Sequence, residues 1–123
     1  MRYHILVVDD NDINLVLLAK ILELEGYQVT TAHNGQEAIQ AAEQEMPNLA
    51  ILDVMMPEMG GYELCLKMRQ PPLSMKIPIV MLTAMSSEGE RAQALEAGAT
   101  DIWSKPFDMD KFRQRIGELV IKE

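Results

Sequence analysis

Short apolar runs alternate with longer stretches of mixed apolar and polar residues along the whole chain. The short runs are typical of strands, and the longer stretches carry apolar residues at helical spacing. The predicted strands are His4–Val8, Gln28–Ala32, Leu49–Leu52, Ile79–Leu82 and Asp101–Ser104. The predicted helices are about Asp12–Glu25, Gly35–Glu45, Tyr62–Gln70, Glu88–Ala97 and Asp108–Ile121. The pattern therefore predicts a strand and a helix in alternation, from one end of the chain to the other.

Turn and cap residues support these boundaries. Gly26 closes the first predicted helix and Gly98 the fourth, while Ser87 and Glu90 have the spacing of a capping box that opens the fourth. The runs "ILVV" and "LAIL" are apolar at every position, which is typical of strands buried on both faces of a parallel sheet. We therefore expect an α/β fold with a parallel sheet covered by helices on both faces.

The length of 123 residues predicts one domain, spanning residues 1–123, that buries a core without disulfide or metal cross-links. No stretch is long and apolar enough for a membrane helix, so we expect no membrane association. The N-terminus has only four apolar residues, Ile5 to Val8, before an acidic pair, which is too short for a signal-peptide core. With a single cysteine, Cys65, expected to be buried, these features predict a cytoplasmic protein.

The charge balance of the chain indicates which classes of ligand it can bind. Eleven basic and nineteen acidic residues give a net charge of −8. A domain that binds a phosphate backbone needs a basic face, so we expect no direct contact with nucleic acid. An acidic chain does, however, favour a bound cation.

Polar residues interrupt the apolar pattern where predicted strands end. Asp9 and Asp10 follow the first strand, Asp53 follows the third, Thr83 ends the fourth and Lys105 ends the fifth. In an open parallel sheet these carboxyl ends share one edge, where ligands bind. Three crowded carboxylates repel one another, so either some are protonated or a cation lies among them. An all-oxygen site of this kind suits Mg²⁺.

Each aspartate alone could instead be a helix cap, and we assign that role to Asp12. For the adjacent pair Asp9 and Asp10, capping alone is the weaker interpretation, because Thr83 and Lys105 occupy matching positions on other strands. The histidines, His4 and His33, lack the neighbours of a metal site and are expected at the surface.

Four motifs, in order, carry a resemblance to a known family. They are "ILVVDDN", "ILDVMMPEMGG", "IVMLTA" and "AGATDIWSKPF", each at the end of a predicted strand. Together they resemble the receiver domains of bacterial response regulators, the chemotaxis-type phosphoacceptor family. The resemblance covers the whole chain. It implies a flavodoxin-like fold with five parallel strands in the order 2-1-3-4-5.

The resemblance also implies roles for the strand-end residues. Asp53 would be phosphorylated, with Lys105 offsetting charge and Thr83 binding the product phosphoryl group. Asp10 and Asp53 would bind Mg²⁺ together with the backbone carbonyl of Met55. Asp9 would act through a bound water. The bond that follows Lys105 would be a cis proline bond.

The function implied is that of a two-component receiver rather than an enzyme. It would accept a phosphoryl group from a histidine kinase or a histidine phosphotransfer protein, and assist its own phosphorylation and dephosphorylation. Phosphorylation would switch the face formed by helix 4, strand 5 and helix 5, and a phosphorylation-dependent dimer is left open. The alternatives are a haloacid-type phosphohydrolase, a flavin-binding module and a phosphorylation-independent scaffold. The hydrolase needs a second aspartate where Met55 stands.

Some positions depart from the family pattern. Ile102 replaces the usual aromatic residue three positions before Lys105, and Trp103 is expected to pack beneath a helix on the opposite face. Gly60 replaces a usual aspartate, so one cap bond is expected to be missing. Met55 and Met85 are apolar where polar residues often hold a hydrolytic water. They either prolong the phosphorylated state or fill gaps.

The first helix is apolar almost all round. A stripe at helical spacing is expected to face the core: Ile13, Leu17, Ile21 and Leu24. Leu15, Val16 and Ala19 would then point outward beside the acidic pocket. We interpret these three as a docking surface for a helical phosphodonor protein, with incidental surface residues as the alternative.

Overall fold

The structure, a computed structural model, describes residues 2–84, 87–105 and 108–121. Its strands are β1 (His4–Val8), β2 (Gln28–Ala32), β3 (Leu49–Asp53), β4 (Ile79–Thr83) and β5 (Asp101–Ser104). Its helices are α1 (Asp12–Leu24), α2 (Gly35–Gln44), α3 (Gly61–Arg69), α4 (Glu88–Glu96) and α5 (Met109–Ile121). Every predicted element is confirmed, with boundaries that differ by at most one residue. None of the helices in these ranges has the length and apolarity needed to cross a membrane.

The strands form one parallel sheet in the order β2-β1-β3-β4-β5, which confirms the predicted topology. Val8 pairs with Leu52, and Asp53 pairs with Leu82. This register brings the carboxyl ends of β1, β3 and β4 level with one another. Residues that immediately follow or end these strands therefore share one edge of the sheet.

Alternate strand residues face opposite layers of helices, as strand geometry requires. Val8 packs with the layer made by α2, α3 and α4, while Val7 packs with the layer made by α1 and α5. In the first layer the helices bury Ala38, Ala42, Leu64, Cys65, Met68 and Ala94. In the second they bury Leu15, Leu18, Leu22, Phe112, Ile116 and Val120. The burial of both faces explains why Ile5 to Val8 of β1 and Leu49 to Leu52 of β3 are apolar at every position.

The predicted orientation of α1 was wrong. Leu15 is only 3% exposed and packs in the core, whereas Ile13 and Leu24 are each 77% exposed and Leu17 is 51% exposed. A helix that is apolar almost all round offers several stripes at helical spacing, so periodicity alone does not choose among them. The docking surface predicted for Leu15, Val16 and Ala19 consequently loses Leu15. Val16 is exposed, and Ala19 is half-buried.

Trp103 packs beneath α5, as predicted. Its ring meets the edge of Phe112 at 5.8 Å between centroids, and its indole N–H donates to Asp101 Oδ2 at 2.9 Å. The Arg115 guanidinium lies 5.0 Å above the indole ring and also pairs with Asp101. Ile102 is 1% exposed and faces the other layer. These contacts hold Trp103 in one orientation.

Three predicted caps have different outcomes. Asn11, rather than Asp12, caps α1, because its side-chain oxygen accepts from Asn14 N at 3.0 Å. The one-residue error reflects two neighbouring side chains that are both good caps. Ser87 caps α4, as predicted. Gly60 precedes α3 without a side-chain cap bond, which also confirms the prediction.

His4 is not at the surface, which corrects the prediction. It is 5% exposed, and its Nε2 lies 2.7 Å from Thr30 Oγ1. Its position on β1, an interior strand that is buried along its whole length, explains the error. His33 is exposed as expected and lies between Asp12 on α1 and Glu37 on α2, at 2.7 and 3.2 Å.

Candidate functional site

Asp53 ends a fully buried strand, so the core holds its backbone in place. The residue is 7% exposed. Gly61, at the start of α3, packs directly against this strand end: a Cβ there would lie 2.5 Å from the Asp53 carbonyl oxygen. The Gly61 N–H also donates to Val54 O at 3.0 Å. A glycine is required at this position because of this close approach.

Asp9 and Asp10 bring two more carboxylates to the same edge. Asp9 is 2% exposed; its Oδ1 accepts from Asn11 N at 3.0 Å and its Oδ2 from Asn14 Nδ2 at 3.3 Å. Asp10 is exposed. One oxygen from each of Asp9, Asp10 and Asp53 lies within 4.8 Å of the others. The predicted convergence of these three residues is therefore confirmed.

Lys105 reaches this cluster from the end of β5. Its Nζ donates to Asp53 Oδ1 at 2.9 Å and lies 3.7 Å from Asp9 Oδ2. Its backbone N–H donates to Thr83 O at 2.7 Å, which joins the ends of β5 and β4. The predicted convergence of Lys105 with the aspartates is also confirmed.

The three carboxylates of Asp9, Asp10 and Asp53 are only partly neutralised by Lys105, so their electrostatics favour the binding of a further cation. Burial raises the pKa of Asp53 above its ordinary value; the Lys105 hydrogen bond lowers it, and the charges of Asp9 and Asp10 raise it again. Burial and the two neighbouring carboxylates therefore outweigh the single lysine. Carboxylate oxygens are the ligands that Mg²⁺ prefers. The donor set fits this ion by its chemistry and by its charge.

The hydroxyl of Thr83 points toward α4. Thr83 is 2% exposed, and its Oγ1 donates to Glu90 Oε2 at 3.0 Å. The Tyr62 hydroxyl donates to the same oxygen at 3.3 Å. Burial, followed by the Glu90 charge, raises the pKa of Tyr62. Sequence reasoning missed both partners: the capping-box spacing singled out Glu90 only as a cap residue.

Three further residues were predicted to act at the site: Met55, Met85 and the proline that follows Lys105. Met55 lies two residues beyond Asp53, and its side chain is 75% exposed, so it does not fill a gap in the core. Met85 and the proline that follows Lys105 lie outside the described residues. The predictions for their roles therefore stay predictions.

Comparison with known proteins identifies the class. The family model described as "Response regulator receiver domain" matches residues 5–117. PleD of Caulobacter vibrioides, a response regulator, is 44% identical over 108 residues, which are 88% of this chain and 24% of PleD. PhoP of Bacillus subtilis, the alkaline phosphatase synthesis transcriptional regulatory protein, is 44% identical over 116 residues, which are 94% of this chain and 48% of PhoP.

Solved structures agree with the sequence matches. The chemotaxis protein CheY4 of Vibrio cholerae superposes with a TM-score of 0.91 at 29% identity, covering 97% of this chain and 99% of that one. The signal receiver domain of a histidine kinase from Syntrophus aciditrophicus gives 0.87 at 36% identity, covering 98% and 91%. The fold and the acidic strand-end site thus define a CheY-like signalling domain. The chain belongs to the response regulator receiver domain family.

Membership confirms the predicted family and its role as a receiver in two-component signal transduction. It favours this class over the haloacid-type hydrolase and the flavin-binding module, because the receiver family is a signalling family rather than an enzyme class. The chain spans less than half the length of these two curated relatives, 24% of PleD and 48% of PhoP. What those whole proteins do is therefore a separate question from what this domain does.

Proposed function

We propose that this receiver accepts a phosphoryl group on Asp53 from a histidine kinase or a histidine phosphotransfer protein. One observation carries the proposal: the Lys105 ammonium lies 2.9 Å from an Asp53 carboxylate oxygen, within a cluster of three carboxylates at the edge of the sheet. Nucleophile and cation are thus held together before any donor arrives. Residues 1–123 form one receiver domain in this proposal.

The chain's own residues would contribute mainly position and charge. An Asp53 oxygen attacks phosphorus in line with the phosphorus–nitrogen bond of a phosphohistidine, that bond breaks, and the departing imidazole takes up a proton. Lys105 offsets the negative charge that builds on the transferring group. Thr83 donates its hydroxyl hydrogen to the product phosphoryl group after leaving Glu90.

The proposed cofactor is Mg²⁺. Asp10, Asp53 and the backbone carbonyl of Met55 would hold the ion, with Asp9 acting through water. When bound, the ion would neutralise charge on phosphoryl oxygens. The raised pKa of Asp53 and the mutual approach of the carboxylates within 4.8 Å support this assignment.

The proposed docking surface for the phosphodonor lies on α1, with corrected membership. We assign it to Ile13, Val16 and Leu17, whose exposed fractions are 77%, 69% and 51%. Leu17 also lines a groove of about 340 Å³ between α1 and α5 that reaches Asp9 and Lys105. A helical partner seated on this face would therefore lie beside the phosphorylation site.

The proposed output is a change in the face made by α4, β5 and α5. Arg91 on α4 and Arg115 on α5 both pair with Asp101 on β5, so these elements are linked by charge across the face. A phosphorylation-dependent dimer is part of the proposal. So is a cytoplasmic location, with which the buried free thiol of Cys65 is compatible.

Phosphate release tests this function against its alternatives. The purified domain is incubated with Mg²⁺ and a small acyl phosphate while bound and released phosphate are followed. A receiver should take up close to one phosphoryl group per chain and release it slowly. Sustained release over many turnovers would favour a hydrolase, and no uptake would favour a scaffold; either result would contradict the proposal.

A further inference from the structure

Glu90 joins three elements of the site through one carboxylate. Its Oε2 accepts from Thr83 Oγ1 at the end of β4, at 3.0 Å, and from the Tyr62 hydroxyl on α3, at 3.3 Å. Glu90 itself lies in the first turn of α4, where its backbone N–H donates to Ser87 Oγ at 3.2 Å. The position of Thr83 is thereby linked to the start of α4.

The Thr83 hydroxyl has one hydrogen to donate. In the structure it is given to Glu90, and a hydrogen bond to a carboxylate is stronger than one to a neutral acceptor. Asp53 ends the neighbouring strand β3, in register with Leu82, so a phosphoryl group on Asp53 would lie on the same edge as Thr83. The phosphoryl oxygens and Glu90 would therefore compete for the same hydrogen.

Strand β5 does not offer a polar aromatic side chain that could follow this hydroxyl. Ile102 stands three residues before Lys105; its side chain is a hydrocarbon and is 1% exposed. Trp103 faces the α1 and α5 layer, and its indole N–H donates to Asp101. Within residues 2–84, 87–105 and 108–121, a polar link from Thr83 to α4 runs through Glu90.

We propose that Glu90 is a positioning residue that holds the Thr83 hydroxyl away from Asp53 until phosphorylation. The inference rests on the proposed function of Asp53 and deepens it. The phosphoryl group accepts the hydrogen bond from the Thr83 hydroxyl, so Glu90 loses that hydrogen bond. The negatively charged Glu90 carboxylate then lies near the negatively charged phosphoryl group. Like charges repel, so the first turn of α4 moves away from the site. In this proposal the Glu90 carboxylate responds to the position of Thr83, as the aromatic residue that Ile102 replaces does in the family.

Affinity for beryllofluoride in Mg²⁺, a non-covalent mimic of the phosphoryl group, tests this proposal by calorimetry. Glu90→Ala should bind it about tenfold more tightly than wild type, because Thr83 no longer has to leave a charged acceptor. Glu90→Gln, which keeps an acceptor without the charge, should lie between the two. Glu88→Ala is the matched control: it removes an exposed acidic side chain from the same turn and should bind like wild type.

A double-mutant cycle separates positioning from simple charge removal. In a Thr83→Val background, Glu90→Ala should give little or no further tightening, because the effect acts through the hydroxyl. Equal tightening in both backgrounds would overturn the proposal in favour of general electrostatics. Mg²⁺ affinity, measured without beryllofluoride, should be unchanged in Glu90→Ala.

Amide hydrogen exchange gives a second readout that does not need the Thr83 variant. In wild type, beryllofluoride should speed exchange at Arg91 N, which donates to Ser87 O at 2.9 Å, and Glu90→Ala should show fast exchange before any ligand is added. Slow exchange in unliganded Glu90→Ala, or unchanged beryllofluoride affinity in it, would overturn this inference alone. Failure of wild type to bind beryllofluoride would overturn the proposed function and this inference together.

Discussion

At the scale of single residues, Asp53 is central to the proposed function. The fold holds its carboxylate in a buried position beside two other carboxylates, where ionisation is unfavourable. Burial and the charges of Asp9 and Asp10 raise its pKa despite the hydrogen bond from Lys105. The sequence predicts that these four residues meet, because each follows or ends a strand and the carboxyl ends of parallel strands share one edge of the sheet. This prediction needs only the parallel arrangement of the strands, which their apolar runs indicate.

Mg²⁺ should stabilise the domain by relieving this repulsion. At a concentration about 100 times its Kd, a ligand that binds only the folded state adds about 2.7 kcal/mol to the free energy of unfolding. We expect most of this gain to disappear in Asp10→Asn. Glu43→Gln, which removes an exposed carboxylate on α2, should keep it. Urea unfolding with and without Mg²⁺ measures the difference; an equal gain in both variants would contradict the proposed ligands.

Met55 should control how long the phosphoryl group survives. The side chain is 75% exposed two residues beyond Asp53, where it can cover an aspartyl phosphate against water. Met55→Asn would offer hydrogen bonds to an attacking water, so the labelled domain should lose phosphate several-fold faster. Met46→Asn is the control, because Met46 is also exposed but precedes β3 at the amino end of the strand, away from Asp53. The same decay in all three proteins would show that Met55 has no such role.

The pairing of Thr83 with Glu90 could not be predicted in the same way. Its two residues are seven positions apart, and the direction of each side chain depends on how β4 connects to α4. Pattern rules assign faces within a strand or a helix, not across a connection. The capping box correctly found Glu90 near an N-terminus but gave no information about where its carboxylate would lie.

Among the elements, α1 shows the limit of apolar periodicity most clearly. Leu15, Leu18 and Leu22 face the sheet, while Ile13 and Leu17 form an exposed stripe of similar spacing. When both stripes are apolar, packing decides the orientation, and packing depends on neighbours distant in sequence. By contrast, α2 and α5 carry clear polar faces, so each leaves a single apolar stripe to face the sheet.

The exposed stripe of α1, formed by Ile13, Val16 and Leu17, should bind the phosphodonor protein. We expect Val16→Lys to slow phosphotransfer from a histidine kinase or phosphotransfer protein about tenfold, because a charge replaces apolar contact at the centre of the surface. Labelling by a small acyl phosphate should be unaffected. Leu24→Lys, equally apolar and exposed at the far end of α1, is the matched control. Parallel losses with both donors would count against docking.

His33 links α1 to α2 in a way that depends on pH. Its hydrogen bond to Glu37, and then the charges of Asp12 and Glu37, raise its pKa above the ordinary value of 6.5. Because the folded-state pKa is raised, the stabilisation from this link is complete below the ordinary pKa. It is lost as the pH rises through the raised value.

NMR titration of the His33 ring measures this effect. Glu37→Gln should lower the pKa of His33 toward its ordinary value, because it removes the largest cause of the shift. Glu43→Gln, on the same helix, should leave it unchanged. In parallel, the stability advantage of wild type over His33→Gln should shrink as the pH rises above about 6.5. An unaltered His33 titration in Glu37→Gln would refute the link.

At the scale of the whole molecule, the order of elements and the parallel sheet followed from the apolar pattern, and the strand order followed from the resemblance to the receiver family. The runs "ILVV" and "LAIL", apolar at every position, indicated helices on both faces of the sheet, and alternation of strands with helices indicated parallel pairing. The burial of His4 was missed because a polar residue at the start of the interior strand β1 resembles an exposed strand end. Its contact with Thr30 on β2 exists only once the sheet has formed.

The central proposal for the whole domain is that Asp53, whose carboxylate lies 2.9 Å from the Lys105 ammonium, is the phosphoacceptor. The most direct measurement is mass spectrometry after incubation with Mg²⁺ and a small phosphodonor, on wild type and on Asp53→Asn. We expect wild type to gain one phosphoryl group, placed on Asp53 by fragmentation and absent when Mg²⁺ is chelated, and Asp53→Asn to gain none. No adduct on wild type, or an equal adduct on Asp53→Asn, would contradict the account.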